Sequence, residues 1–370
     1  MKYLNFKYDR AEAKVALFDT GRKEAHAYII PSVGNDAATQ ISGIREAVRN
    51  LMSDTGMTPV FKRWLLSDPA NQRQLLPDHD NCAVSLLGQS PLDGTKAALL
   101  VFFEENADFS HREGGLWEDS RGRIWLGDGY YVSTGDSLSM TVAYLERLAY
   151  ELKQRGASLK DNCLRTWFFV RDIDNNYSGV VQGRNSVFAR EGLTSESHFI
   201  ASTGIEGQCA EPKRLVAFNA FADTGVTPEQ ITYIYGKSHL NPTYEYGVAF
   251  ERATAVDYAD RRHVYISGTA SIDNKGQIVA PGDIEAQTLR MLENITVLLD
   301  EGNCGWEDVA HMTVYLRDIA DHALISRMME ERFPGVPKVI VLAPVCRPGW
   351  LIETECMAIR KADNPDYAAY

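Results

Sequence analysis

The feature that most restricts the fold of this chain is a threefold repeat of one pattern, an amphipathic helix followed by a short apolar strand. The two clearest copies are LERLAYELKQRGASLKDNCLRTWFFVRDI at residues 145–173 and LENITVLLDEGNCGWEDVAHMTVYLRDI at residues 292–319. A more divergent copy, ISGIREAVRNLMSDTGMTPVFKRWLLSD, occupies residues 41–68. A repeat of this kind indicates tandem units of supersecondary structure that cover one another's apolar faces.

The residues around each copy predict a module of the α+β class with the order β-β-α-β-α-β-β. In the last module, HVYISGTAS and QIVA are the expected opening strands, Asp283 is the expected helix N-cap, and KVIVLAPV and LIETECMAI form a closing hairpin. In the middle module, GRIWLG and YYVSTG open the unit and CLRTWFFV is its central strand. We therefore predict modules at residues 1–108, 109–240 and 241–370, of which the first is degenerate and the last is the best formed. Any α/β protein repeats helix-strand units, but the shared RDI endings and closing strands favour true copies.

Composition excludes several classes of function. The net charge of −12 argues against a nucleic-acid partner, which usually meets a basic face. Six scattered cysteines form no CxxC pair, and the longest apolar runs are too short to span a bilayer. There is no dinucleotide-binding glycine motif, P-loop, HExxH or GxSxG sequence, so we expect no metal and no cofactor. The expectation is a cytoplasmic protein without nucleic-acid or membrane partners.

The last module resembles the Rid family, also called YjgF/YER057c/UK114. The resemblance is carried by HVYISGTASIDNKGQIVAPGDIEAQTLRMLENI, by TVYLRDI and by LIETECMAI. Rid proteins fold like Bacillus chorismate mutase and form trimers with ligand clefts between neighbouring subunits. For this chain the resemblance implies three Rid-like modules in an intramolecular pseudo-trimer, either monomeric or a weak homo-oligomer.

The Rid resemblance also implies which residues to inspect for chemistry. Active Rid deaminases hold the substrate carboxylate with an arginine on the penultimate strand, but Val339 occupies that position in the last module. The matching stretches ESHFIAS and DNCAVSL also lack the arginine. The family glutamate is kept once, as Glu353. The resemblance therefore favours a single active cleft, between the middle and last modules, and disfavours imine deamination.

Several shorter motifs are similar to those of chorismatases, which are built on the same plan of fused Rid modules. In the last module these motifs are YGVAFERA, SGTASI and VCRPGWLIETE, and in the middle module they are LRTWFFVRDID and YSGVVQGRNSVF. The resemblance implies a catalytic role for Glu353 and for Cys346, the latter as a residue of the cleft wall. It implies a substrate-binding role for Arg252, Arg347, Arg184, Arg165 and Tyr177.

Chorismate has two carboxylates and an enol ether, and its cleavage requires a proton at the enolpyruvyl methylene carbon. A buried glutamate can supply that proton because burial raises the carboxyl pKa, and arginines can bind the carboxylates. Alternation along the strand allows only one of Ile352 and Glu353 to face the cleft, so a solvent-facing Glu353 is the competing interpretation. The first hypothesis is a cofactor-free enzyme that releases pyruvate from chorismate or a similar small, anionic, cyclic carboxylic acid. The alternatives are a Rid-type imine deaminase and a non-catalytic protein that binds a small ligand.

Overall fold

The structure is a computed structural model that describes residues 1–77, 80–129 and 135–370, and its strands form three sheets. The first sheet contains β1 (Lys2–Lys7), β2 (Ala11–Asp19), β3 (Lys23–Pro31), β4 (Thr58–Leu66), β5 (Ala83–Gly88) and β7 (Ala97–Glu104). The second sheet contains β8 (Ser110–His111), β9 (Leu116–Glu118), β10 (Arg123–Leu126), β11 (Cys163–Val170), β12 (Ala201–Glu206) and β13 (Val216–Asp223). The third sheet contains β14 (Ile231–Ile234), β15 (Ala253–Asp257), β16 (Arg261–Ala270), β17 (Val309–Leu316), β18 (Lys338–Leu342), β19 (Ile352–Lys361) and the short β6 (Ser90–Pro91).

Helices connect the strands within each unit, which confirms the predicted α+β class and the three tandem modules. The α-helices are α1 (Ala37–Thr55), α2 (Pro69–Gln72), α3 (Ser137–Lys153), α4 (Leu159–Asn162), α5 (Ile173–Arg190), α6 (Ile284–Glu301) and α7 (His322–Arg332). Asp283 caps α6 as predicted, because its carboxylate accepts a hydrogen bond from the Ala286 N–H at 3.0 Å. In the described part of the chain, no helix is both long and apolar enough to cross a membrane.

The closing strands of each module do not form the predicted hairpin. In the middle module, β11 lies between them and pairs parallel with β12 and antiparallel with β13. The same arrangement recurs as β4 with β5 and β7, and as β17 with β18 and β19. A parallel pair needs a crossover connection, and the second helix of each module provides it. In the first module that helix is reduced to α2 and the 3-10 turn Arg73–Leu75.

Two further features differ from the sequence predictions, and one predicted strand is not tested. QIVA, at residues 277–280, is not a strand, and β15 pairs with β16 in its place. Residues 231–234 fall within the predicted bounds of the middle module. They form β14, which pairs with β15 and extends the third sheet. The sequence YYVSTG lies at residues 130–135, and its first five residues are outside the described residues.

One face of each sheet contributes to a common apolar core at the centre of the molecule. Phe61 from β4, Trp167 from β11 and Met312 from β17 belong to the same cluster of buried side chains. Separate apolar clusters beneath α1 and beneath α3 and α5 cover the opposite faces of the first two sheets. The central strands are therefore buried on two faces, which is typical of sheets packed between layers.

Candidate active site

Six of the seven residues proposed from the sequence line a single cavity between the middle and last modules. They are Tyr177, Arg184, Arg252, Cys346, Arg347 and Glu353. The middle module contributes Tyr177 and Arg184 from α5, where a spacing of seven residues places them on the same helix face. The last module contributes the rest from the segment before β15, the β18–β19 connection and the start of β19.

Glu353 faces the cavity and is only 5% exposed. Ile352 beside it is fully buried as well, because both faces of β19 are covered. Only Glu353 of the two lines the cavity, as alternation along the strand predicts, and the competing interpretation of a solvent-facing Glu353 was wrong. Burial raises the pKa of Glu353 to about 8, and the negative charge of Glu355 acts in the same direction, whereas Arg252 opposes it. The carboxyl group is consequently protonated at neutral pH.

A β-bulge shapes the wall against which this carboxyl lies. The pairing of β16 with β19 shifts register between Ile266 and Thr269, and Gly268 lies in that interval. A Cβ atom at Gly268 would be 2.0 Å from Glu353 Oε1, so only glycine allows this approach. The close contact between the Gly268 backbone and the Glu353 carboxyl therefore explains why the SGTASI motif has glycine at this position.

Three arginines surround the cavity, and none forms a salt bridge with an acid in the described part of the chain. Arg184 is 1% exposed, and its Nε and Nη2 atoms have no hydrogen-bond partner among the described residues. Arg252 donates from Nη2 to the Asn241 carbonyl at 2.9 Å. Arg347 lies over the ring of Tyr246 at 4.6 Å. A buried cation without a carboxylate partner is costly, so the cavity is electrostatically complementary to an anion.

Cys346 forms part of the cavity wall rather than a reactive thiolate. Burial raises the pKa of the Cys346 thiol to about 12, and Glu353 acts in the same direction. Burial also raises the pKa of Tyr177, so its hydroxyl remains neutral. Both side chains can therefore shape the cavity and form neutral hydrogen bonds.

Arg165 is absent from this cavity, in contrast to the sequence prediction. Its Nη2 atom donates to Glu355 Oε2 at 2.7 Å and to Thr203 Oγ1 at 2.5 Å, and its guanidinium stacks on Trp167. Glu355 belongs to the last module, so this buried ion pair joins two modules. The guanidinium is committed to Glu355 and is not available to a ligand in the cavity.

Sequence reasoning missed several residues that line the cavity. Tyr246, Phe250 and Trp350 lie within the quoted motifs YGVAFERA and VCRPGWLIETE, so the motifs contained the signal but gave no reason to choose them. Ser202 was also missed. When β11 and β17 are aligned on their shared RDI endings, the pairing of Trp167 with Thr203 corresponds to the pairing of Thr313 with Val339. The structure therefore places a threonine, Thr203, at the position of the Rid arginine in the middle module.

Comparisons with known proteins agree with this architecture. The profile of the family described as Endoribonuclease L-PSP matches residues 250–360. A RutC family protein of Pyrococcus abyssi is 33% identical over 100 residues, which are 26% of this chain and 79% of that protein. The 3-aminoacrylate deaminase RutC of Acinetobacter baylyi is 33% identical over 97 residues, covering 26% of this chain and 77% of that protein. A chorismatase crystal structure is matched with a TM-score of 0.66 at 16% identity, covering 95% of this chain and all of that chain.

The chain belongs to the RutC and endoribonuclease L-PSP family, which is the Rid family that its last module resembles. Its likeness to the chorismatase extends over nearly the whole chain, and at this identity it shows a shared fold.

Proposed function

We propose that this protein is a cofactor-free enzyme of the chorismatase type, which cleaves the enol ether of chorismate or a similar cyclic carboxylic acid and releases pyruvate. The observation that carries the proposal is the placement of Glu353, a buried acid whose raised pKa keeps it protonated at neutral pH. It faces a cavity with three arginines, and these arginines form no salt bridge with an acid in the described part of the chain. An acid that holds its proton at neutral pH can act as a general acid. Cations beside it would bind the carboxylates of a dianion.

The chemical steps require only groups of this cavity and one water molecule. Glu353 transfers its proton to the methylene carbon of the enol ether, and the electron pair of the C=C bond forms the new C–H bond. Water adds to the resulting oxocarbenium carbon, and the proton it loses restores Glu353. The hemiketal then breaks its C–O bond to give pyruvate and the ring alcohol. The net change is the consumption of one water molecule.

The size of the cavity adds a condition to this proposal. Its volume is about 40 Å³, which is enough for only a few water molecules. A substrate ring must therefore displace lining side chains when it binds. Two longer parts of the lining have no regular strand or α-helix: the segment at residues 243–250, which contributes Tyr246, Val248 and Phe250, and the β18–β19 connection, which contributes Cys346, Arg347 and Trp350.

Imine deamination is less well supported, although a relative is named as a 3-aminoacrylate deaminase. Thr203 occupies the position of the deaminase arginine in the middle module, and Val339 occupies it in the last module. Neither side chain can form a bidentate pair with a substrate carboxylate.

The test is pyruvate release from chorismate and isochorismate by the purified full-length chain. We expect turnover by the wild type and a loss of about 10²–10⁴-fold in kcat for Glu353→Gln, the usual range for removal of a general acid. Glu251→Gln is the matched control, because Glu251 is also buried and has a pKa raised to about 7, but its carboxylate accepts from the Phe199 N–H and does not line this cavity. Absence of pyruvate with both substrates, or full activity in Glu353→Gln, would contradict the proposal.

A further inference from the structure

The backbone N–H of the bulge that accommodates Glu353 is bound by one hydroxyl group of the neighbouring module. Because Gly268 lies in the bulge of β16, its N–H is not part of the ladder with β19. This N–H donates to Thr203 Oγ1 at 2.9 Å instead. Thr203 is on β12 of the middle module and is only 1% exposed.

Thr203 has two further partners, and together they use the whole hydrogen-bonding capacity of its hydroxyl. The hydroxyl donates to Glu355 Oε2 at 2.5 Å and accepts from Arg165 Nη2 at 2.5 Å. A threonine hydroxyl can donate once and accept twice. With Gly268 as the second donor to it, Thr203 has no capacity left for a ligand, so its role is to connect these elements.

The elements it connects enclose Glu353 on two sides. Glu353 and Glu355 are two residues apart on β19, so their side chains point to the same face of the strand. The Glu355 carboxylate is fixed by Arg165, Thr203 and the Trp167 Nε1–H, the last at 3.0 Å. The Glu353 carboxyl lies against Gly268, which Thr203 links to the same Glu355 carboxylate.

We propose that Thr203 is a positioning residue for Glu353, which holds the Gly268 bulge so that the neighbouring carboxyl is directed into the cavity. The inference rests on the proposed function for the role of Glu353 as an acid. Thr203 itself contacts neither substrate nor the proton that is transferred.

A second contact keeps the bulge folded when Thr203 is altered, so the effect of a substitution can be local. Ser267 Oγ accepts from the Ser202 N–H at 2.8 Å and donates to the Glu251 carbonyl at 2.6 Å. These bonds attach the bulge to β12 and to the residue before Arg252 independently of Thr203. A variant at Thr203 should therefore retain the sheet while the Gly268 N–H loses its acceptor.

The first test compares Thr203→Val, which keeps the shape and removes the hydroxyl, with Thr203→Ser, which keeps the hydroxyl. For pyruvate release we expect Thr203→Val to lower kcat by about 10–100-fold while KM changes less than about threefold, as for other residues that orient a catalytic group. Thr203→Ser should stay within about threefold of wild type. Thr313→Val is the control for lost stability alone, since Thr313 is equally buried and bonds to the Tyr28 hydroxyl of another module at 2.7 Å.

The second test does not depend on turnover. The carbonyl stretch of the protonated Glu353 carboxyl is followed by difference infrared spectroscopy against pH, with Glu353→Gln to assign the band. Two sets of charged and titratable groups face Glu353: Glu355 and Arg165 on one side, and in the cavity Arg184, Arg252, Arg347, Cys346, Tyr177 and Tyr246. Thr203→Val keeps all of these side chains and removes one hydrogen bond each from Glu355 and Arg165. In Thr203→Val the free Gly268 N–H can donate to the Glu353 carboxylate, so the titration midpoint should fall by about one pH unit.

The two tests separate the inference from the proposed function. A lower midpoint in Thr203→Val but not in Thr203→Ser supports the positioning role even if chorismate is not a substrate. An unchanged midpoint and an unchanged kcat in Thr203→Val, in an enzyme that releases pyruvate, would overturn the positioning role and leave the proposed function standing.

Discussion

At the scale of single residues, the defining property of the site is the proton on Glu353. The sequence places this glutamate directly after Trp350, Leu351 and Ile352, and the fold buries it beside Glu355 with the backbone of Gly268 against its carboxyl. Its proton is retained because burial deprives the carboxylate of water, and the negative charge of Glu355 raises the pKa in the same direction. The acid property therefore has a cost in stability that can be measured.

Glu353→Gln should stabilise the protein, and increasingly so as pH rises. The carboxyl ionises near pH 4.5 in the unfolded chain and near pH 8 in the native state. Between these values the native state holds a proton that the unfolded chain releases, so this group lowers wild-type stability as pH rises through the window. The free energy of unfolding of the variant minus that of wild type should be larger at pH 8.5 than at pH 4. We expect an increase of at least about 1.4 kcal/mol, which is the equivalent of one pKa unit. Urea unfolding of both proteins at the two pH values measures this, and an equal difference at both would contradict it.

Gly268→Ala should reduce activity with little loss of fold. The new methyl group would lie 2.0 Å from Glu353 Oε1, so the carboxyl must leave its position. A displacement of about 1 Å can cost about 10²-fold in rate, and we expect a fall of that order in kcat for pyruvate release. Gly302→Ala is the control, because its nearest contact would be at 3.1 Å to Val264 and far milder. Activity within about twofold of wild type in Gly268→Ala would show that the close approach is unimportant.

At the scale of elements, the wall of the cavity is built from parts of different rigidity. Strand β19 and helix α5 are held by the third sheet and by packing against α3, whereas residues 243–250 consist of the 3-10 turn Thr243–Tyr246 and a connection through Gly247. Gly247 has a φ of 83°, a conformation that favours glycine. The segment is the element best suited to yield when a ring enters the cavity of about 40 Å³.

Binding of a cyclic dicarboxylate should therefore alter backbone hydrogen exchange at residues 243–250. The expected result is slower exchange in this segment when a saturating, non-reactive dicarboxylate occupies the cavity, because the bound anion fixes Tyr246 and Phe250 through Arg347 and Arg252. Helix α1 in the first module is the internal reference and should not change. Uniform protection of both segments, or none at 243–250 under saturation, would contradict this account.

At the scale of the whole molecule, each pair of modules is joined by a buried ion pair between an arginine and a glutamate. The distances are 2.6 Å for Arg123 with Glu104, 2.9 Å for Arg261 with Glu24 and 2.7 Å for Arg165 with Glu355. The three pairs connect the middle module to the first, the last to the first, and the middle to the last. The pairs join β7 with β10, β3 with β16 and β11 with β19, so the three contacts share the same chemistry at different positions.

Glu104→Gln should destabilise the whole protein, because it leaves Arg123 buried without this carboxylate. Loss of one partner of a buried pair typically costs about 3–5 kcal/mol, and because Arg123 keeps Asp119 at 2.8 Å we expect a loss at the lower end of that range. Glu146→Gln is the control: Glu146 pairs with Arg190 at 2.7 Å, but both side chains are about half exposed, and such pairs contribute about 0–1 kcal/mol. The measurement is the free energy of unfolding in urea. Equal losses in the two variants would show that burial of the pair is unimportant.

The repeated helix-strand pattern, the N-cap at Asp283 and most strands could be predicted from the sequence, since they depend on local periodicity and capping. The positions of six candidate site residues also followed from motifs that the family resemblance supplied. The pairing of the closing strands could not be predicted from the sequence. The same alternation of residues fits a hairpin of two neighbouring strands and the observed arrangement, in which the central strand lies between them. The strand assigned to QIVA failed for a related reason, since β15 offers longer pairing to β16.

The sequence by itself determined that the chain forms three modules that cover one another's apolar faces, and that Glu353 is the candidate acid. Only the tertiary structure decided that Arg165 pairs with Glu355, that Arg184 is left with unpaired donors among the described residues, and that Thr203 connects two modules at the bulge. The physical reason is that these properties depend on distances between groups far apart in the chain, 65 residues for Thr203 with Gly268 and 190 residues for Arg165 with Glu355. Periodicity records which face of an element is buried, but it does not record which charge lies opposite.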